Sequence, residues 1–251
     1  MDVRIRGAVP PDPFLSARDV FETEHDLEKP VWVEVRADPD ERTWAGHHES
    51  HHTLNISRQA ATSAMARELA LHEYAHMRRH EEAHPSHVQS TEEVLYLALA
   101  GREVERRRIA HCYQIANHMK DVYADDITLS VGPGHKLVDF FESALAAAVA
   151  DAPGTPPGGD SRLASAGADP SITAVNAAFA LAIVERHDLV EETHRLYDLA
   201  RVAAEDAPTV DVDRFRRHFS TLGVDPTESE YRKSLVDVTR SYVLAGQQGA
   251  D

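Results

Sequence analysis

The residues best suited to chemistry lie together at His72-Glu73-Tyr74-Ala75-His76. Residues i and i+4 of a helix share one face, so both imidazoles could reach a single Zn²⁺ at about 2.0–2.1 Å. Glu73 would point about 100° further round the helix, beside an open coordination position. From there it could take a proton from a zinc-activated water. The pattern therefore predicts a zinc-dependent hydrolase with Glu73 as general base.

The setting of this motif argues against a chance match in a chain that contains 16 histidines. Residues 58–82 hold no Gly or Pro and are rich in good helix formers, which predicts one long helix across the motif. A strand is predicted just before it at His52–Ile56, and Ser57 is a candidate N-cap. Because the motif falls inside this helix, we interpret it as a metal site and not as a set of surface histidines.

His80 continues the i, i+4 series but is not predicted to be a third ligand. Eight residues of helix rise about 12 Å, too far for His72 and His80 to share one ion. His80 is expected to support the site or to be exposed. Four histidines flank the predicted strand, where metal binding is possible but a solvated loop is favoured: His47, His48, His51 and His52.

The motif, with a strand before it and a separate acidic helix after it, resembles the gluzincin branch of zincin metallopeptidases. In that branch an acid on a later helix is the third ligand, and a second acid follows four residues on, in a pattern written Glu-x-x-Ala-Asp. Here Asp121-Val122-Tyr123-Ala124-Asp125 matches the spacing and the Ala-Asp ending, with Asp in the first position. The metzincin branch would need Gly at 79 and His at 82, where this chain has Arg79 and Glu82. The whole chain is also similar to an uncharacterised haloarchaeal family that carries the motif.

The resemblance implies that zinc is held by His72, His76 and Asp121, with Asp125 as the partner of a ligating imidazole. Asn117 would extend the same helical face one turn earlier and help to orient the acidic group. Four other acids downstream lack a carboxylate four residues later: Glu92, Glu93, Glu103 and Glu105. Four residues near the acidic motif could donate to an oxyanion, although a packed or exposed role is favoured for each: His111, Tyr113, His118 and Tyr123.

The helices and strands predicted around these residues indicate an α+β, mostly helical fold. A small N-terminal sheet is expected beside the active-site helix. The predicted strands are 31–35, 42–46 and 52–56. The predicted helices are 58–82, 94–108, 111–126, 136–150, 172–186, 188–204, 211–221 and 227–244. The pattern Ser90-Thr91-Glu92-Glu93 predicts a capping box at the start of the second of these helices. A Pro- and Gly-rich stretch divides the chain into a zincin-like catalytic domain (1–150), a flexible linker (151–171) and a helical accessory subdomain (172–251).

Composition narrows the location and the partners. The formal net charge is -16, and 22 of the 26 basic residues are Arg. This is typical of a halophile's cytosolic protein, with an ordinary acidic protein as the alternative. A field this negative repels phosphate backbones, so nucleic acid is not an expected partner. A single cysteine, Cys112, and the lack of a long apolar run or leader predict a cytoplasmic protein that does not enter membranes.

We therefore expect a zinc peptidase that acts on a peptide or protein substrate. The zincin resemblance implies that the strand before the helix, His52–Ile56, binds extended substrate by β-addition. Two alternatives stay open: a zinc hydrolase of a non-peptide substrate, and a non-catalytic regulatory protein braced by zinc. The sequence does not define the oligomeric state.

Overall fold

The computed structural model of the chain describes residues 1–39, 42–151 and 169–247. Within them the chain forms four strands and eleven helices, and the predicted α+β, mostly helical fold class is confirmed. The strands are β1 (Val3–Arg6), β2 (Val31–Arg36), β3 (Trp44–His47) and β4 (His52–Ser57). The helices are α1 (Asp12–Phe21), α2 (Arg58–Ala61), α3 (Ala66–Glu81), α4 (Pro85–Val88), α5 (Thr91–Leu99), α6 (Arg106–Val131), α7 (Gly134–Ala150), α8 (Pro170–Arg186), α9 (Arg195–Asp206), α10 (Val212–Ser220) and α11 (Glu228–Gln247).

The sheet has the strand order β1-β2-β4-β3. β1, β2 and β4 run parallel, and β3 pairs with β4 in the antiparallel direction. β4 is therefore a central strand whose backbone is paired on both sides. The expectation that His52–Ile56 binds substrate by β-addition is wrong, because only the edge strands β1 and β3 retain backbone groups for a further strand.

Helix α3, which carries the motif, packs on α1 through the side chain of Tyr74. The rings of Phe21 and Tyr74 meet edge to face at 6.1 Å, and the Tyr74 hydroxyl donates to the Phe14 carbonyl at 3.3 Å. All three side chains are fully buried. Burying aromatic side chains of this size stabilises the fold and fixes the rotation of α3 about its axis. The direction in which His72 and His76 point is set by that packing.

The predicted long helix over 58–82 is in fact two helices, α2 and α3. Ser57 caps α2 as predicted, accepting from the Ala60 amide at 3.1 Å. The break follows because the hydroxyls of Thr62 and Ser63 donate to the Arg58 and Ala60 carbonyls at 3.0 and 2.8 Å. Side-chain bonds of this kind compete with the helical backbone ladder. The sequence lacked a Gly or Pro signal for this break.

Other helices begin or end at residues that differ from the predicted ones. The helix predicted over 94–108 ends at Leu99, because Gly101 adopts a φ of +74° that stops a right-handed helix. Ser90 caps its start as predicted, accepting from the Glu93 amide. The helix predicted from 188 begins at Arg195, after Asp188 at a φ of +51°. β1 and α1 were not predicted, although Val3 and Ile5 alternate with arginines in the manner of a strand.

The described residues form two compact units that are not continuous in sequence. The first comprises residues 1–89 and 120–133, and the second comprises 90–119 and 134 onward. The first has a core of buried side chains from the sheet, α1, α3 and the C-terminal part of α6. These bounds differ from the predicted division at 150 and 171, and the predicted domains stay a prediction. Most of the predicted linker, residues 152–168, lies outside the described residues.

In the part of the chain that the structure describes, no helix combines the length and the apolarity needed to span a membrane.

Candidate metal centre

The two motif histidines project from consecutive turns of α3 with their Nε2 atoms facing each other. The distance between those atoms is 3.0 Å. His72 and His76 are partly accessible, with side chains 26% and 14% exposed. The i, i+4 spacing thus brings two imidazole nitrogens to one point, as the motif predicts.

Asp121 of α6 reaches the same point. Its Oδ1 lies 3.3 Å from His76 Nε2 and 3.8 Å from His72 Nε2. One donor atom from each of these three residues falls within 4.8 Å of the others, and among the described residues this is the group that could hold a metal ion. The structure therefore brings together the three residues that the sequence proposed as ligands.

The spacing of these donors suits a tetrahedral ion. Ligand bonds of 2.0–2.1 Å at tetrahedral angles put neighbouring donor atoms about 3.3 Å apart. The observed separations of 3.0, 3.3 and 3.8 Å bracket that value. Two imidazoles and one carboxylate are a donor set that zinc accepts, and three protein ligands leave a fourth position for water or substrate. The residues present fit the metal that the sequence predicts.

Asp125 holds the first histidine from behind. Its Oδ1 accepts from His72 Nδ1 at 2.9 Å, and the residue is only 2% exposed. This bond assigns the proton to Nδ1 and leaves Nε2 directed at the metal position. Burial alone would lower the pKa of His72, but the charges of Asp125 and Asp121 outweigh it and raise that pKa well above its ordinary value. Asp125 therefore occupies the supporting place that the resemblance implied.

Glu73, the proposed base, is buried beneath the sheet edge. The residue is 6% exposed, and burial raises the pKa of its carboxyl, opposed by His76 and His72 and by a hydrogen bond with the backbone of Ala45. Ala45 belongs to β3, so the carboxyl lies between the motif helix and the edge strand. A carboxylate with a raised pKa is a stronger base than an exposed one, which suits proton transfer near neutral pH.

The histidines around the hairpin between β3 and β4 are less solvated than expected. His52 is fully buried, and its Nε2 lies 3.0 Å from Glu81 Oε1. His47 contacts His52 at 3.0 Å between Nδ1 atoms and stacks on His80, and burial lowers the pKa of His47 to about 3. His48 is exposed, as predicted. The solvated-loop expectation is thus wrong for His52 and His47, because the sheet carries them into the interior beside α3.

The His47 and His80 rings also do not form a second metal site. Their planes are parallel within 2° and their centroids are 3.8 Å apart. Imidazole binds a metal in its own ring plane, and one ion cannot lie in two parallel, separated planes. His80 is half-buried and stacks on His47, so it is not exposed, and its expected support of the metal site stays a prediction.

A group that sequence reasoning missed lies behind His76. His87 Nε2 is 2.7 Å from His76 Nδ1. His87 belongs to α4, which begins four residues after α3 ends. The reversal depends on Ala83 at a φ of +51°, a conformation that only glycine adopts readily. The pattern His84-Pro85-Ser86-His87 was visible, but nothing in its spacing pointed to His76.

The remaining candidates lie elsewhere. Asn117 is exposed and belongs to the second unit, so its supporting role stays a prediction. Tyr123 is fully buried, with its ring 4.5 Å from that of His84. The other three oxyanion candidates belong to the second unit: His111 contacts Tyr242 and Asp169, His118 contacts Asn176, and Tyr113 is exposed. The packed or exposed role favoured for these four residues agrees with these placements.

Comparison with known proteins gives a family but no activity. No curated protein matches the chain, and no solved structure matches it. A family described as "Family of unknown function (DUF5781)" matches residues 1–244, nearly the whole chain. The protein therefore belongs to this family of unknown function.

Proposed function

We propose that this protein is a zinc-dependent peptidase in which Glu73 is the general base. The observation that carries the proposal is the convergence of His72, His76 and Asp121 on one point, with a buried carboxylate one residue after the first histidine. A structural brace needs a closed, four-coordinate site and has no use for a base. The three-donor group and the buried Glu73 together support catalysis over bracing.

The residues of the site would have two tasks: some bind and orient the metal ligands, and Glu73 transfers a proton. When bound, zinc would supply Lewis acidity, lowering the pKa of water to about 7 and polarising a carbonyl oxygen. Asp125 holds the Nδ1–H of His72 and so orients the ring. Glu73 would accept the proton of the attacking water and then donate it to the amine nitrogen that leaves. Its cover by β3 limits the access of bulk water to the carboxyl.

The edge strand β3 supports a peptide as substrate. β3 contacts α3 and forms one edge of the sheet. An extended peptide can add to such an edge through main-chain hydrogen bonds, with alternate side chains directed to each face. A peptide lying along β3 would pass over the helix that carries the metal ligands. A small non-peptide substrate would make no use of this edge.

The location that we propose is the cytoplasm. Cys112 is the only cysteine in the chain and is buried. A cytosolic protein has no need of disulfides, and the acidic, lysine-poor composition suits a salt-rich cytoplasm.

Separate variants test binding and chemistry. Purified protein in molar KCl should carry close to one zinc per chain, and His76→Ala should lose it, since two remaining ligands hold the ion poorly. Glu73→Gln removes no ligand, so its zinc content should stay parental while cleavage of a proteome-derived peptide library falls by orders of magnitude. Glu82→Gln, an exposed acid at the end of the same helix, is the matched control and should keep both properties.

The outcomes separate the parts of the proposal. A His76→Ala protein as rich in zinc as the parent would place the metal elsewhere. Stable zinc binding without cleavage of any peptide would remove the peptidase activity and leave the metal centre. Cleavage that is unchanged in Glu73→Gln would remove Glu73 from the mechanism.

A further inference from the structure

The two motif histidines are held from behind by different chemistry. His72 Nδ1 contacts the Asp125 carboxylate, whereas His76 Nδ1 contacts a third imidazole, His87, at 2.7 Å. His87 is half-buried on α4, within the same compact unit. The second nitrogen of His76 therefore meets a group without a formal negative charge when His87 is neutral.

Two further contacts continue from His87. Its Nδ1 lies 2.7 Å from Ser86 Oγ, and that hydroxyl lies 2.7 Å from His84 Nδ1. Ser86 is fully buried and His84 is 6% exposed. Three short hydrogen bonds thus join four side chains in the order His76, His87, Ser86, His84. We call this series the histidine relay.

One backbone group fixes the direction of every bond in the histidine relay. The Ser86 amide donates to His84 Nδ1 at 3.3 Å, so that nitrogen carries a lone pair. The Ser86 hydroxyl must then donate to His84 Nδ1 as well, and its oxygen accepts from His87 Nδ1–H. A neutral imidazole with its proton on Nδ1 has its lone pair on Nε2. His87 Nε2 therefore accepts from His76 Nδ1–H, which leaves the lone pair of His76 on Nε2.

We propose that the histidine relay positions His76 as a metal ligand by fixing its tautomer, so that His87, Ser86 and His84 are positioning residues of the centre. The inference rests on the proposed function, since it assigns the relay to the zinc site. The Nε2 atom that the relay leaves unprotonated is the one that lies 3.3 Å from Asp121 Oδ1 and 3.0 Å from His72 Nε2. The relay thus directs a lone pair at the point where the other donors meet.

A neutral partner has an electrostatic consequence. Two carboxylates already contact the motif histidines. Asp121 lies beside His76 Nε2 as one of the three donors, and Asp125 accepts a hydrogen bond from His72 Nδ1. A third carboxylate behind His76 would cancel more of the cation's charge, which is the charge that polarises a substrate carbonyl. The relay orients His76 without adding negative charge. One ligand is held by an anion and the other by a neutral group.

The tautomers can be read directly in the wild-type protein. Long-range ¹⁵N–¹H correlation spectra of the ¹⁵N-histidine-labelled protein distinguish Nδ1–H, Nε2–H and doubly protonated rings. His87 should be the neutral Nδ1–H form and His84 the neutral Nε2–H form, both in the metal-free and in the zinc-loaded protein. An Nε2–H or doubly protonated His87 would overturn the relay, whatever the protein's activity.

Zinc affinity, measured by competition with a chromogenic chelator, tests the positioning role. His87→Leu should weaken zinc binding by about 10–100-fold, the usual effect of losing the hydrogen-bond partner of a ligand. His87→Gln should restore most of the affinity, because its amide oxygen can accept from His76 Nδ1–H. His48→Leu, which removes an exposed histidine of the same unit, is the control and should bind as the parent does.

The results distinguish the relay from the function on which it rests. His87→Leu with parental zinc affinity would overturn the relay, while the effects of Glu73→Gln on cleavage would still test the peptidase. Equal losses in His87→Leu and His87→Gln would also overturn it, because a glutamine that accepts the same bond should rescue the site. A wild-type protein that binds no zinc would overturn both.

Discussion

Asp121 and Asp125 lie one helical turn apart and approach the same histidine from opposite ring nitrogens. Asp125 Oδ1 is 2.9 Å from His72 Nδ1, whereas Asp121 Oδ1 is 3.8 Å from His72 Nε2. Asp125 is 2% exposed and the Asp121 side chain is 26% exposed. One carboxylate is therefore placed to bind an ion from the solvent side, and the other is placed to orient its ligand.

These two roles predict losses of different size. Asp121→Ala should abolish tight zinc binding, because only two protein ligands remain. Asp125→Ala should weaken zinc binding by about 10–100-fold, since it removes a supporting bond and not a ligand. Asp139→Ala, an exposed acid of α7, should leave the affinity unchanged. Chelator competition measures all three, and undiminished affinity in Asp121→Ala would refute its assignment as a ligand.

At the residue level, the sequence predicted the three residues that converge and the hydrogen-bond partner of His72. It did not predict the hydrogen-bond partner of His76. The i, i+4 spacing and the Asp121–Asp125 pair depend on helix geometry, which sequence separation expresses directly. The partner of His76 depends on the reversal at Ala83, where a non-glycine residue adopts a left-handed φ of +51°. Two backbone hydrogen bonds hold that conformation at the end of α3, from the Ala83 and His84 amides to the His80 and Arg79 carbonyls. The sequence has no glycine at this position that would indicate it. For this reason His84 and His87 were missed.

At the level of elements, predictions succeeded where the signal was local. The caps at Ser57 and Ser90 were found because a side chain bonds to an amide three residues away. β1 is a four-residue strand that pairs in parallel with β2, twenty-eight positions along the chain. Its stability comes from that distant partner, so propensity alone did not reveal it. The same reason explains why the order of strands, and hence the edge position of β3, was not foreseen.

The end of α6 offers a test of how tightly the helices that carry the ligands pack. A Cβ added at Gly132 would lie 2.9 Å from the Thr128 carbonyl oxygen and 3.0 Å from Leu71 Cδ2. Backbone cannot move aside cheaply, so Gly132→Ala should lower the free energy of unfolding by about 1–3 kcal/mol. Gly223→Ala is the matched control, because a Cβ there meets nothing within 4 Å. Urea unfolding of both variants measures the difference, and equal stabilities would show that α6 adjusts freely.

Helix α10 carries a histidine that should make stability depend on pH. Burial lowers the pKa of His218 to about 4, with a partial opposing effect of Asp237. The unfolded chain, with an ordinary histidine pKa of about 6.5, then binds more protons than the folded chain between pH 4 and 6.5. The stability contributed by His218 is complete above that window and is lost as pH falls through it.

His218→Gln should therefore unfold with a weaker pH dependence than the parent. The loss of stability between pH 7 and pH 5 should be smaller in the variant by about 2 kcal/mol, from roughly 1.4 kcal/mol per pH unit. Urea unfolding at both pH values gives the comparison, and His135→Gln, on an exposed histidine of α7, should match the parent. Identical slopes in parent and His218→Gln would show that His218 titrates normally in the folded state.

At the scale of the whole molecule, the feature hardest to predict from the sequence was which helices and strands belong to the same compact unit. Residues 90–119 group with the C-terminal helices, whereas residues 120–133 group with the N-terminal sheet. Helix α6 therefore contributes its two halves to different units, and no breaker marks the division at Met119 and Lys120. Composition does identify a Pro- and Gly-rich stretch, but contacts between distant segments determine which elements share a core.

The charge of the whole chain predicts how salt should act on the fold. With 42 acidic and 26 basic residues, the chain carries a formal net charge of -16, so the folded state concentrates like charges. The screening length falls from about 30 Å at 0.01 M salt to about 3 Å at 1 M, which should relieve this repulsion. The melting temperature should therefore rise with KCl, most steeply at the low end of the series where screening changes most.

A sucrose series is the control, because sucrose stabilises by exclusion from the surface without screening charge. A melting temperature that stays flat or falls with KCl would contradict self-repulsion as a main destabilising term. A melting temperature that rises linearly up to molar KCl would instead indicate that the salt stabilises by exclusion from the protein surface. Screening of the acidic residues would then not explain the rise.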